Sequence, residues 1–203
     1  MKLDTCRRRF LRDGVLIGIG ASTGALLPTV VPVLSPQSAR ADDEDETATG
    51  AAETRLRELG IELPPPPKPV AVYIPAVRVG NTLYASGHGP RRLDGTSVQG
   101  KVGQDLTLEQ GYEAARIVGL NVLSSVRHTL GSLDNVVRLV KVLGMVNCAS
   151  DFTKQPQVIN GFSELMVQVF GEKTGKGARS AVGMGSLPGN IAVEIEAIFE
   201  VRG

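Results

Sequence analysis

The stretch IAVEIEAIFEV, residues 191–201, constrains the fold more than any other segment of the chain. Ile191, Val193, Ile195, Ala197, Phe199 and Val201 fall on one face and Glu194, Glu196, Ile198 and Glu200 on the other, the period-two pattern of a strand with one buried face. Ile198 among the glutamates indicates that the second face also meets protein, expected to be another subunit. Upstream, residues 178–184 read as a strand between the glycine loop Gly175-Lys176-Gly177 and the turn Leu187-Pro188-Gly189-Asn190.

The preceding elements alternate in period. Residues 76–79 and 82–86 read as a hairpin about Gly80-Asn81. Thr107-Leu108-Glu109-Gln110 is a capping-box pattern opening a helix, in which Leu108, Tyr112, Ala115, Gly119, Val122, Val126 and Leu130 recur at three-to-four spacing up to Gly131. Residues 136–146 read as a long strand, and residues 157–170 return to helical spacing until Gly171. Strand, strand, helix, strand, helix, strand, strand predicts an α+β fold, a mixed sheet with two helices packed on one face. A short helix is also expected over residues 55–63, with Leu56, Leu59 and Ile61 inward, stopped by Pro64-Pro65-Pro66-Pro67.

The N-terminus reads as an address. Arg7, Arg8 and Arg9 followed by Phe10 and Leu11 have the form of a twin-arginine signal, with Cys6 where Ser or Thr is commoner, and Ala39-Arg40-Ala41 supplies a small-residue cleavage site. Gly18, Gly20, Gly24, Pro28 and Pro32 weaken the apolar run between them as a spanning helix, so residues 1–41 are expected to be removed, with no stable membrane insertion and a periplasmic or secreted product. Retention as an anchor is the alternative. Residues 42–54 are expected to form a disordered acidic leader before a domain over 55–203. The mature chain would carry 16 Lys and Arg against 19 Asp and Glu, which argues against nucleic acid as a partner. Cys148 is left without an intrachain disulfide partner and reads as packing. His88 and His128 lack ligand spacing with other candidates, so no metal is expected.

No nucleophile elbow, phosphate loop or metalloprotease motif is present, which leaves polar residues at strand ends. Arg179, just after the glycine loop, is placed to emerge into a cleft and grip a carboxylate; the alternative is a surface ion pair. Glu194 lies on a strand expected beside that of Arg179, so the two are expected to share one pocket; a solvated glutamate is the alternative. His88 titrates near neutral pH and so is either a proton donor or acceptor at a cleft or an inert turn residue.

From Tyr73 to Val201 the chain resembles the RidA/YjgF family, also named for endoribonuclease L-PSP, whose fold is of the chorismate mutase type. The resemblance rests on Tyr73 seven residues before Gly80-Asn81, YASGHGP (residues 84–90), Ile159-Asn160-Gly161, and ARSAVGMGSLPGNIAVEIEAI (residues 178–198). TRLRELGIELPPPP and GKVGQDLTLEQGYEAAR further resemble a longer branch of the family. The resemblance implies a homotrimer with three inter-subunit clefts that hydrolyses enamines and imines, such as 2-aminoacrylate, to 2-keto acids and ammonia without a cofactor. It assigns the substrate carboxylate to Arg179, the attacking water to Glu194 and a cleft wall to Tyr73, with Ser86, Gly87 and Asn160 at cleft-side positions. His88 stands where the family often has Gln, and Ala181 where it often has Cys, so that only the Ala181 backbone remains to contact substrate. Two rival readings accompany this one: a non-catalytic binder of small carboxylates, and an RNA-cleaving protein, disfavoured by the acidic charge.

Overall fold

The computed structural model describes residues 51–66, 68 and 71–203; the signal sequence expected over residues 1–41, and the expected acidic leader up to residue 50, lie outside the described residues. A hairpin of β1 (Ala76–Val79) and β2 (Thr82–His88) turns at Gly80, and the long helix α2 (Leu108–Leu130) follows. Thr107 and Gln110 close the capping box reciprocally and Gly131 ends the helix in the left-handed region, as their sequence signals require. Then come β3 (Val136–Asn147), α3 (Gln155–Phe170), the single turn α4 (Glu172–Gly175), β4 (Ala178–Met184) and β5 (Val193–Val201).

The five strands lie in the order β1-β2-β5-β3-β4, antiparallel except for the β3–β4 pair. The fold is therefore the expected α+β mixed sheet. One adjacency differs from expectation: β5 does not lie beside β4. A parallel pair needs a crossover, here through α3, which carries the chain past β3 and leaves β4 as the sheet edge. The chain then returns antiparallel into the slot between β2 and β3, so β3 separates Arg179 from Glu194.

The alternation of β5 is realised as read. Val193, Ile195, Ala197, Phe199 and Val201 are buried beneath the helices, whereas Glu194, Glu196, Ile198 and Glu200 lie on the uncovered face. α2 and α3 pack on the covered face and cross closely at Gly161, where an added Cβ would lie 2.1 Å from the Tyr112 carbonyl oxygen. Tyr112 itself is only partly buried, its hydroxyl donating to Glu164 on the outer side of the helix pair.

The first helix departs from expectation. It is α1 (Ala51–Glu58), so the last residues assigned to the acidic leader, Ala51, Ala52, Glu53 and Thr54, are helical. The Asp134 carboxylate accepts hydrogen bonds from the amides of Ala52 and Glu53, capping the helix from 82 residues away. Glu53 in turn accepts from the Leu133 amide and pairs with Arg127. Gly60, at positive φ and donating to the Arg57 carbonyl, terminates the helix before the prolines are reached. Leu56 is buried, as expected, but Leu59 falls beyond the helix and is 51 % exposed.

Candidate functional site

The residues singled out by sequence fall into two groups. The first lies where β4 meets α3. Arg179 is in register with Val142, a core residue, so its side chain leaves the edge strand on the helix-covered side. There its Nη1 donates to Asn160 Oδ1 and to Ser163 Oγ, both at 2.9 Å, and Nη2 makes a longer contact of 3.4 Å with the Pro156 carbonyl. Every one of these acceptors is neutral, and no carboxylate pairs with Arg179 among the described residues. The surface-ion-pair alternative is therefore not what the structure shows. With both Nη1 protons and one Nη2 proton engaged, the Nε proton and the second Nη2 proton remain for an incoming carboxylate.

The motif Ile159-Asn160-Gly161 sits on α3 with three distinct tasks. Ile159 is fully buried against Gly144 of β3, Asn160 holds Arg179, and Gly161 admits α2. Ser163, one turn beyond Asn160 on the same helical face, escaped the sequence reading; its i, i+3 spacing from Asn160 is the signal that would have found it. Ala181 is on the covered side like Arg179, its methyl packed against the core, so its side chain is no cleft wall.

The second group gathers at the end of β2, where the register of the β2–β5 pair shifts between Ala85 and His88. Glu194, opposite Met145 on the uncovered face, lies over Gly87 so closely that a Cβ there would stand 2.0 Å from Oε1. Any side chain at Gly87 would push this carboxylate out of its present position. Burial, with a smaller push from the neighbouring Glu196 charge, holds the Glu194 carboxyl above the ordinary carboxylate range. Ser86 donates its hydroxyl to the Ile74 carbonyl at 2.7 Å and its amide to the Pro75 carbonyl, which fastens the segment carrying Tyr73 to β2. Tyr73 remains 43 % exposed and lines, with Gly87 and Pro75, a cavity of about 210 Å³.

His88 belongs to this group by backbone but not by ring chemistry. Its imidazole is buried, with Nδ1 2.6 Å from the Ser86 carbonyl and Nε2 2.7 Å from Ser125 Oγ on α2. A carbonyl can only accept, so Nδ1 carries the proton and Nε2 accepts from Ser125. Burial lowers its pKa, and the ring is neutral with both nitrogens engaged. Of the two alternatives read from the sequence, a proton carrier at a cleft or an inert turn residue, neither describes this ring within the chain: it ties β2 to α2.

The two groups are not brought together within one chain. Arg179 and Glu194 are two strands and three register steps apart, about 14 Å by sheet geometry, and project from opposite faces. Around Glu194 the uncovered face exposes Tyr84 (45 %), Val77 (42 %) and Val182 (39 %), beside partly buried Leu143, Met145 and Ile198. Among the described residues, no group of three or more His, Cys, Asp or Glu side chains is arranged to hold a metal ion.

Comparison with known proteins matches this arrangement to a family. Residues 53–195 match the family model described as "YjgF/chorismate_mutase-like, putative endoribonuclease". The chain is 41 % identical over 155 residues to Protein TCP17 of Trypanosoma cruzi, an alignment covering 76 % of this chain and 97 % of that protein. The crystal structure of Atu1372 from Agrobacterium tumefaciens, of unknown function, is 40 % identical and superposes with a TM-score of 0.68 over 76 % of this chain and 96 % of its own. A crystal structure from Shewanella oneidensis MR-1 reaches a TM-score of 0.71 at 28 % identity, over 74 % of this chain and 99 % of its own. The Arg179, Asn160 and Glu194 positions thus stand in a sheet-and-helix frame shared across these proteins, and the chain belongs to the RidA/YjgF family.

Proposed function

We propose that the protein hydrolyses 2-imino acids, or the enamines that tautomerise to them, to 2-keto acids and ammonia, at clefts formed where copies of the chain meet in a trimer. The observation that carries this reading is the state of Arg179: a guanidinium oriented by three neutral acceptors, its charge unmatched and two N–H groups unengaged, is built to take a carboxylate from outside the chain. The partly apolar uncovered sheet face supports association with further copies. Two copies meeting there would supply Arg179 from one and Glu194 from the next.

In such a cleft Arg179 fixes the substrate carboxylate and Glu194 faces the imine carbon. The water held by Glu194 adds its oxygen to that carbon while a proton passes to Glu194, whose raised pKa makes it a better proton acceptor than an ordinary carboxylate. Return of that proton to the nitrogen gives a 2-amino-2-hydroxy acid; Glu194 then takes the hydroxyl proton and passes it to the amino group, so that the C–N bond breaks, the carbonyl forms and ammonia leaves. No electrons change hands and no cofactor is needed. We place this activity outside the cytoplasm on the strength of the twin-arginine sequence.

A non-catalytic carboxylate-binding role is the second reading, and it is weaker because binding alone gives no reason for a desolvated glutamate beside Gly87. The test is hydrolysis of imines generated in situ by an amino-acid oxidase, comparing the chain with Arg179→Ala and Glu194→Gln. Acceleration by the wild type, lost in both variants, with pyruvate binding lost only in Arg179→Ala, is the expected result. No acceleration with any imine would leave the binding reading.

A further inference from the structure

Two cavities meet at the loop that follows β2. The smaller, of about 210 Å³, carries Tyr73 and Gly87 on its wall and is completed by Lys68, Arg91 and Asn121. The larger, of about 320 Å³, runs on beneath Pro64, Pro65 and Pro66 and shares Lys68, Arg91 and Asn121 with the first, adding Arg92. Three cationic residues therefore line this joined hollow and no carboxylate lines either part; Glu62 and Asp94 border a neighbouring cavity on the other side of Arg91 and Arg92.

The loop holds Arg91 firmly from behind. Its amide donates to the Gly89 carbonyl, and its own carbonyl accepts from Asn121 Nδ2 at 2.9 Å. Asn121 is buried on α2 and also donates to the Gly89 and Ile117 carbonyls, so a core side chain sets the position of the loop. An isolated bridge to Ser97 and the Val98–Pro90 backbone bond close the loop on itself. Arg91 thus has a fixed backbone, while its guanidinium has no hydrogen-bond or ion-pair partner among the described residues. Asp94 accepts from the amide and hydroxyl of Thr96 and lies within electrostatic reach of Arg92, not in contact with Arg91.

We infer that Lys68 and Arg91 form a second anion subsite, adjoining Gly87, that selects 2-imino acids bearing a further anionic group at the end of the side chain. This rests on the deaminase reading for the identity of the reacting group, but the subsite itself does not depend on turnover. The α-carboxylate goes to Arg179, the imine carbon to Glu194, and the distal carboxylate or phosphate reaches Lys68 and Arg91 across the cavity beside Gly87. Substrates of the size of alanine would leave the hollow filled with water and the cations unmatched.

Isothermal titration of the full-length chain with 2-oxoglutarate, 3-phosphohydroxypyruvate and pyruvate tests the subsite without requiring catalysis. A charge-assisted contact corresponds to about tenfold or more in affinity, so 2-oxoglutarate or the phosphorylated acid should bind at least that much more tightly than pyruvate. Which of the two is preferred identifies the anion. In the Lys68→Ala/Arg91→Ala double variant the ratio to pyruvate should fall to near one. Equal affinities for all three acids in the wild type, or a preference that survives in the double variant, would overturn the inference. A wild type with this preference but no imine hydrolysis would retain the subsite and discard the deaminase, whereas hydrolysis of alanine-derived imine without the preference would do the reverse.

Discussion

Arg179 shows why an isolated residue in a sequence underdetermines its role. Its distinguishing property is the neutrality of its neighbours: had Asn160 been Asp, the same geometry would be an ion pair. Ser163 is the neighbour that can be removed most gently. Ser163→Ala should raise KM for the imine several-fold with little effect on kcat, because it loosens the guanidinium without touching the reacting carbon; an equal fall in kcat would place Ser163 elsewhere in the mechanism. Two further residues make opposed demands on pH. Burial depresses the His88 pKa below 6.5, so the stability owed to the neutral ring is complete above about pH 6.5 and is lost as pH falls through the folded value. Glu194 is raised above 4.5, so its contribution is complete below about pH 4.5 and is lost as pH rises through the folded value. In thermal melts across this range, His88→Gln should flatten the decline on the acid side. Glu194→Gln should melt at or above the wild-type Tm at neutral pH while inactive, and a lower Tm there would contradict the assigned cost of its charge.

At the scale of elements, the α2–α3 crossing governs the site, because α3 carries the anchors of Arg179 on one face and the contact with α2 on another. Gly161→Ala sets two effects against each other. Alanine favours an isolated helix by about 1 kcal/mol, but a methyl 2.1 Å from the rigid Tyr112 carbonyl must displace a whole helix, and overpacking of this kind costs about 1–3 kcal/mol. The steric term wins, so chemical denaturation should show a net loss of stability, and the shift of α3 should weaken keto-acid binding as well. The hairpin, both long helices, β3 and β4 were legible because each is bounded by local signals: Gly80-Asn81, the Thr107 capping box, Gly131 and Gly171. The start of α1 was not, because its cap is Asp134, and no local pattern reports a carboxylate arriving from another part of the fold.

For the whole molecule, the separation of Arg179 from Glu194 converts the proposed trimer into a measurable claim. If each cleft takes its arginine from one copy and its glutamate from the next, Arg179→Ala and Glu194→Gln chains, each inactive alone, should regain activity when co-refolded. In a random threefold ring about one cleft in four would carry both intact residues, giving about a quarter of the wild-type rate. Silence from the mixture, with mixed oligomers verified by mass, would mean that the two residues act within one chain or not together. The alternation of β5, the fold class and the identities of Arg179, Glu194, Asn160 and Gly87 as residues of interest were all determined by the sequence, since they depend on local period and on motif. Which strands flank β5, which face Arg179 takes, and that His88 turns inward to Ser125 were decided only by the tertiary structure. Strand order is set by the crossover through α3 and by the burial of apolar surface between distant segments, and these are properties of the assembled sheet that no stretch of chain carries by itself.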